Sequence, residues 1–255
     1  MPTDEHALAG RIALVTGATR GLGGAVALAL GAAGAHVIAT GRTQGALEAL
    51  DDAIQASGGE QATLVPMDLV DSDGTDQLGR AIFERHGRLD VLVHCAGMLG
   101  GLRPLSHLPP ELWAKILAVN LTSAYRLIRS LEPLLRASDA GRAVFISCEQ
   151  ARTSEPFWGA YAATKAGLEA MVRSWADEVD NSAIRALIID PGALRTALRH
   201  QAFPGEDKAR LSDPADIAPM IIDLLAAAKD PGLPTRVLSF SEWRLARAGG
   251  GPETP

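Results

Sequence analysis

Tyr161 and Lys165 stand one helical turn apart in YAATK (161–165), so on a helix their side chains share a face. An unperturbed tyrosine titrates near ~10 and is a poor acid–base group at neutral pH. An ammonium beside it stabilises tyrosinate, and the pairing is expected to lower that pKa toward the useful range. Ahead of the pair, ISCEQ (146–150) places Ser147 and Cys148 where an apolar run ends. Either side chain could donate a hydrogen bond to a reacting oxygen, the thiol more weakly. Neighbouring strand residues point to opposite faces, so only one of the two can face the tyrosine unless the strand bulges.

A second constellation suits an anion. TGATRGLG (16–23) follows one β-rich run and opens an Ala/Leu-rich helix. Gly17 permits a tight turn, while Gly21 and Gly23 let a pyrophosphate approach the backbone at a positive helix end. Their spacing, Gly-x-x-x-Gly-x-Gly, differs from the commoner dinucleotide fingerprint. Arg20 lies inside this loop, and Arg42 follows Gly41 at the end of the next β-rich run. Two guanidinium groups with no acid between them suit a phosphate; the alternative is two ordinary solvated side chains.

These groups need a scaffold, and the chain alternates strand and helix signals throughout. Strands are expected at 11–15, 36–40, 62–66, 89–94, 141–147, 184–190 and 235–240. Helices are expected at 20–33, 44–57, 73–86, 110–136, 159–179 and 213–228, the last capped by Asp213 with Pro214 as its first residue. Nearly all-apolar strands separated by helices mean a parallel sheet covered on both faces. Right-handed crossovers then give a doubly wound α/β sheet of the Rossmann type, about seven strands wide, with its ligand crevice at the strands' carboxyl ends. No repeat or linker divides the 255 residues, so one domain is expected, with a folded core over about 10–240 and frayed ends at 1–9 and 247–255. The net charge of −6 without a basic tract disfavours a nucleic-acid partner, and no apolar run reaches the ~18 residues of a membrane span. Cys95 and Cys148 lack metal-ligand spacing and read as reduced thiols, so no metal and a cytoplasmic location are expected.

The loop TGATRGLG, HCAG (94–97), VNLTSA (119–124), YAATK and DPGALRT (190–196) resemble, in order and distance, the short-chain dehydrogenase/reductase family in its single-domain form. WGAYAATK (158–165) and RTALRHQAFPGED (195–207) are similar to its YciK-like bacterial branch of oxidoreductases. The resemblance implies that Tyr161 gives a proton to a substrate carbonyl oxygen while NADPH delivers hydride to the carbon. Lys165 would also hold the nicotinamide ribose, and Asn120 would position a proton-relay water, although a satisfied buried amide is the alternative. Gly17, Thr19, Arg20, Gly21, Leu22, Gly23, Arg42, Asp68, Leu69, Ala96, Gly97, Pro191, Gly192 and Thr196 would contact the cofactor. With Gly41 where an acid would select NAD, and Arg20 and Arg42 beside it, NADP(H) is the expected cofactor.

Two positions depart from the family pattern. His94 and Cys95 stand where two asparagines are common, and a structural role is expected for both. Cys148 stands where the family has its hydrogen-bond-donating serine; by strand alternation it, and not Ser147, should face the site. Phe157 and Trp158 either wall a substrate pocket or pack beneath a loop. The basic stretch 194–210 is expected to cover the substrate, as a solvated face or, in the alternative, as a clamp for an anionic substrate. The activity implied is a carbonyl reductase, reversible as an alcohol dehydrogenase, acting on a small molecule; the alternative is a cofactor-binding sensor or partner module that has lost turnover. Relatives pair through the helices at 110–136 and 159–179, so a homodimer or homotetramer is expected, burying Leu117, Leu121 and Met171.

Overall fold

The structure, a computed structural model, describes residues 7–153, 155–227, 235 and 237–248. Strands β1 (Ile12–Thr16), β2 (His36–Gly41), β3 (Thr63–Pro66), β4 (Val91–His94), β5 (Arg142–Ile146), β6 (Arg185–Asp190) and β7 (Val237–Ser239) form one parallel sheet in the order 3-2-1-4-5-6-7. The order reverses between β1 and β4, which is where a doubly wound sheet opens its crevice.

Strand alternation divides the core into two layers. Ala13, Val15, Val37 and Ile189 face α1 (Gly21–Ala32), α2 (Gln44–Ala56) and α8 (Ala218–Ala226). Leu14, Ile38, Leu92, Phe145 and Ile188 face α3 (Ser72–His86), α5 (Ser123–Arg136) and α6 (Gly159–Glu178). Each strand is therefore apolar on both faces, which is why its sequence reads as a continuous hydrophobic run.

Some boundaries move. The helix expected over 110–136 is α4 (Pro110–Leu117) and α5 joined through one π turn, Ala118–Thr122, and Asn120 sits in that turn. Asp213 does cap, with Asp216 completing a capping box, but the first turn, Pro214–Ile217, is 3-10 before α8 begins. Within 194–210 a short helix, α7 (Ala197–Ala202), starts at Thr196. The expected strand 235–240 narrows to β7, and Phe240 opens α9 (Phe240–Arg247), whose Phe240 and Trp243 rings stack. Leu8 is buried and its amide bonds Ala33 O at 3.0 Å, so the expected frayed end does not extend to Leu8. Residues 1–6 and 249–255 lie outside the described residues.

At the opposite end from the crevice, buried Asp90 joins the starts of three strands. Its carboxylate accepts from Ile12 N (2.9 Å), Ser138 Oγ (2.6 Å), Arg11 (3.1 Å) and Arg88 (3.1 Å), and its own carbonyl accepts from Arg142 N. Burial alone would raise its pKa, but Ser138, the Ile12 amide and the two guanidiniums together hold it below the usual carboxylate value. Asp90→Ala should lower unfolding free energy by about 2–4 kcal/mol in urea denaturation, discounted because both arginines stay partly hydrated. A depressed folded pKa means that this contribution is present above the unfolded value and lost as pH falls through the folded one. The gap between wild type and variant should therefore close only in strong acid.

Candidate active site

β1 ends at Thr16, and the loop that follows lies flat against the start of the β4 loop. Gly17 has φ +67°, and a Cβ there would sit 2.9 Å from Ala96 Cα; a Cβ on Gly23 would sit 2.3 Å from Gly17 O. Only glycine fits either place. Thr16 Oγ1 accepts from Ala96 N at 3.3 Å, which holds the two loops together. Arg20 is the N-cap of α1 but makes no side-chain cap bond, and no acid occupies the first turn. The amides at this helix end therefore remain available to an anion.

Arg20 and Arg42 are both exposed, and neither side chain has a hydrogen-bond or ion-pair partner among the described residues. Bare Gly41 lets Thr19 close on the end of β2; a Cβ there would meet the Thr19 methyl at 2.4 Å. Asp68 accepts from Val70 N at 3.2 Å beyond β3, and Leu69 is buried beside it. Beyond β6, Gly192 N donates to Asp190 Oδ1 at 3.0 Å, and Thr196 caps α7 through Arg199 N. The Thr196 methyl lies over the glycine loop, 3.4 Å from where a Gly21 Cβ would be. A glycine-floored groove at a helix N-terminus, flanked by two unspent guanidiniums, fits a phosphorylated dinucleotide.

Tyr161 and Lys165 share one face of α6, with Lys165 Nζ 5.8 Å from the Tyr161 ring centroid. Lys165 is buried and donates to Ile146 O at 2.7 Å. Burial first, then Cys148 and Asp190, push the Tyr161 pKa upward, so the expected lowering by Lys165 does not occur: removal from water decides the direction. Burial likewise lowers Lys165. Asn120 is fully engaged: Oδ1 accepts from Met98 N (2.8 Å), while Nδ2 donates to Met98 O (2.9 Å) and Thr164 Oγ1 (3.1 Å). The side chain thus fits the satisfied-amide alternative, clamping the β4 loop to α6. A Cβ on Gly97 would lie 3.8 Å from Lys165 Nζ, so exposed backbone borders the ammonium.

The strand end resolves by alternation. Ser147 Oγ points away and donates to Glu169 Oε1 at 2.6 Å, within a buried pair. Cys148 packs with Leu99, Trp158 and Tyr161, on the phenol's side of the strand. Burial raises the thiol pKa, so it stays protonated. His94 bonds Thr16 Oγ1 (2.9 Å) and Ser123 Oγ (3.4 Å); burial, aided by the Lys165 charge, pushes it down to about 3, and a neutral cross-link is its role. Burial pushes Cys95 up to about 12, an inert filler. What the arrangement can do chemically is donate a proton from a neutral phenol in a nearly dry site.

Sequence reasoning missed the network beneath. Glu169 accepts from Ser147, Arg152 and, at 2.8 Å, Arg173, and Arg152 also pairs with Asp190. Glu169 was findable, four residues after Lys165 on the same face; Arg152, in an irregular loop, follows no period. Trp158 packs as core, buried between Tyr161 (5.9 Å) and Phe203 (5.8 Å), and also walls a small cavity that exposed Phe157 lines. In the basic stretch, Arg195 pairs with Asp213 and Arg199 with Glu206 (2.7 Å).

A family model for short chain dehydrogenase matches residues 11–207. The uncharacterized oxidoreductase YciK of Escherichia coli K12 is 39% identical over 217 residues, covering 84% of this chain and 86% of the relative. Two solved short chain dehydrogenases align with TM-scores of 0.86 at 37% identity, each over 92% of this chain and 98% of the other. One, from Shigella flexneri 2a, is complexed with NADP, and the other, from Escherichia coli CFT073, with NADPH.

Glu169→Ala should cost about 2–4 kcal/mol in urea denaturation, because it strips Ser147 and Arg173 of their acceptor and Arg152 of one of its two. Ser147→Ala, which leaves both arginine pairs intact, should cost about 1 kcal/mol.

Proposed function

Because this chain belongs to the short-chain dehydrogenase/reductase family, we propose that it is an NADPH-dependent oxidoreductase interconverting a carbonyl and an alcohol. The observation that carries the reading is Tyr161: a buried, neutral phenol with Cys148 on one side and Lys165 on its own helix face, at the strand ends that carry the glycine loop.

Gly17, Thr19, Arg20, Gly21, Leu22 and Gly23 hold the pyrophosphate and adjoining ribose, with Arg42 against a 2′-phosphate. Asp68 and Leu69 border the adenine. Ala96, Gly97, Pro191, Gly192, Thr196 and Lys165 frame the nicotinamide side. When bound, the reduced nicotinamide supplies a hydride. Tyr161 Oη donates its proton to the substrate oxygen as negative charge develops there, and the Lys165 ammonium stabilises the tyrosinate left behind. Cys148 Sγ gives that oxygen a second, weaker hydrogen bond. Asn120 keeps the Met98 backbone and α6 in register around the reacting atoms. Burial of Tyr161 and Lys165 excludes water from the proton's path. A second reading, an impaired NADP-binding sensor, rests on the weak thiol donor alone. We also propose self-association through α4–α5 and α6, where Trp113 and Tyr125 are exposed and Leu117, Leu121 and Met171 half-covered; a monomer by light scattering would remove it.

Screening NADPH oxidation over aldehydes, ketones and quinones tests the reading: turnover on some carbonyl, abolished by Tyr161→Phe, supports it. Tight NADPH binding with no turnover leaves the sensor. Cys148→Ser should speed the chemical step about tenfold or more in single-turnover experiments, since it restores a full-strength donor, with NADPH affinity little changed. Fluorescence titration should show NADPH bound more tightly than NADH, with Arg42→Ala losing about 1.5–3 kcal/mol of NADPH affinity; equal affinities would remove the 2′-phosphate assignment.

A further inference from the structure

Arg103 is the one guanidinium bordering the Tyr161 cavity whose charge meets no acid among the described residues. Its Nη2 donates to Gly100 O at 3.3 Å, while its Nε is buried with no partner. The other arginines around the site are spent: Arg152 on Glu169 and Asp190, Arg195 on Asp213, Arg199 on Glu206. A half-buried cation with an unsatisfied donor is costly unless something supplies the missing acceptor.

The backbone is shaped around this side chain. Gly100 and Gly101 have φ of +75° and +82°, and a Cβ on Gly101 would press within 3.1 Å of Arg103 Nη2. The Arg103 amide donates to Phe157 O at 3.3 Å, which ties the loop to the segment leading into Tyr161. Leu99, Leu102, Leu105, Phe157 and Trp158 complete the cavity, so Arg103 and Tyr161 supply its side-chain hydrogen-bond donors, together with the Trp158 indole. Its free volume is about 10 Å³, room for about one water, so anything larger would require exposed Phe157 and Leu105 to move aside.

We infer that Arg103 binds a carboxylate carried by the carbonyl substrate, which makes compact oxo acids with an apolar body the substrate class. This inference rests on the oxidoreductase reading above. The guanidinium fork takes a planar carboxylate in two parallel bonds, and the leucine and aromatic walls take the apolar body. The oxo group then lies toward Tyr161.

The test uses phenylpyruvate and its methyl ester as paired substrates, with NADPH saturating, for wild type, Arg103→Leu and Arg103→Lys. In wild type, kcat/KM should favour the acid, and in Arg103→Leu that acid-to-ester ratio should fall by about tenfold or more, with Arg103→Lys between. An unchanged ratio in Arg103→Leu overturns the inference. A binding arm, independent of turnover, titrates phenylacetate and phenylacetamide into the NADP-loaded protein by NMR. Phenylacetate should bind about tenfold more weakly to Arg103→Leu, and the amide should not discriminate between the two proteins. Failure of phenylacetate to bind wild type, or equal loss of both probes, overturns the inference. Selective loss of phenylacetate without turnover on any carbonyl keeps Arg103 as an anion site and removes the reductase reading.

Discussion

The buried carboxylate of Glu169 fixes the catalytic end of the molecule. It accepts from Ser147 at the end of β5, from Arg152 in the loop beyond and from Arg173 one turn along α6, and Arg152 carries the link to Asp190 at the end of β6. Strand ends and a helix are thus joined by directional bonds in a low-dielectric place, where such bonds are strongest. The consequence for register is direct. With Ser147 committed to Glu169, the next residue must face the opposite way, and that residue is Cys148. The identity of the side chain beside Tyr161 is decided by a carboxylate on the far side of the strand.

The electrostatics of the two halves of the crevice differ by design of the fold. On the β2 side, Arg20 and Arg42 stay in water, where their charge reaches an approaching anion. On the β5 side, burial dominates: His94 is neutral, Cys95 and Cys148 keep their protons, Tyr161 keeps its own, and Lys165, whose charged form burial disfavours, donates to the Ile146 carbonyl. On the proposed reading, Gly97 and Thr196, where the two regimes meet, would border the nicotinamide.

Much of this was legible in the sequence because it rests on local rules. Strand alternation with continuous apolar runs fixed the parallel sheet, and glycine spacing after Thr16 fixed the loop. The i, i+4 spacing of Tyr161 and Lys165 placed them on one face. What escaped depended on distance through the fold. No local pattern tells that Arg152 reaches both Glu169 and Asp190, or that Arg103 lacks an acid. The sign of the Tyr161 shift was also misread, since a spacing argument sees the nearby ammonium but not how completely the phenol is removed from water. Phe240 reads as the last residue of a β-rich run, yet it starts α9 because its ring packs into the core and stacks on Trp243 one turn later.

The π turn at Ala118–Thr122 adds one residue to what would otherwise be a single helix from α4 into α5. One extra residue rotates everything on one side by about 100° relative to the other. Asn120 owes its aim at Met98 to that surplus, while Leu127 and Leu131 keep theirs toward the sheet. A single-codon deletion anywhere in those five positions would restore an unbroken α-helix with all its backbone bonds, and so be hard to see as damage. It would nonetheless turn α4 and α5 out of phase, leaving either the core stripe or the amide clamp facing the wrong way. The helix therefore counts its residues: its length, and not only its composition, is part of what the gene must preserve.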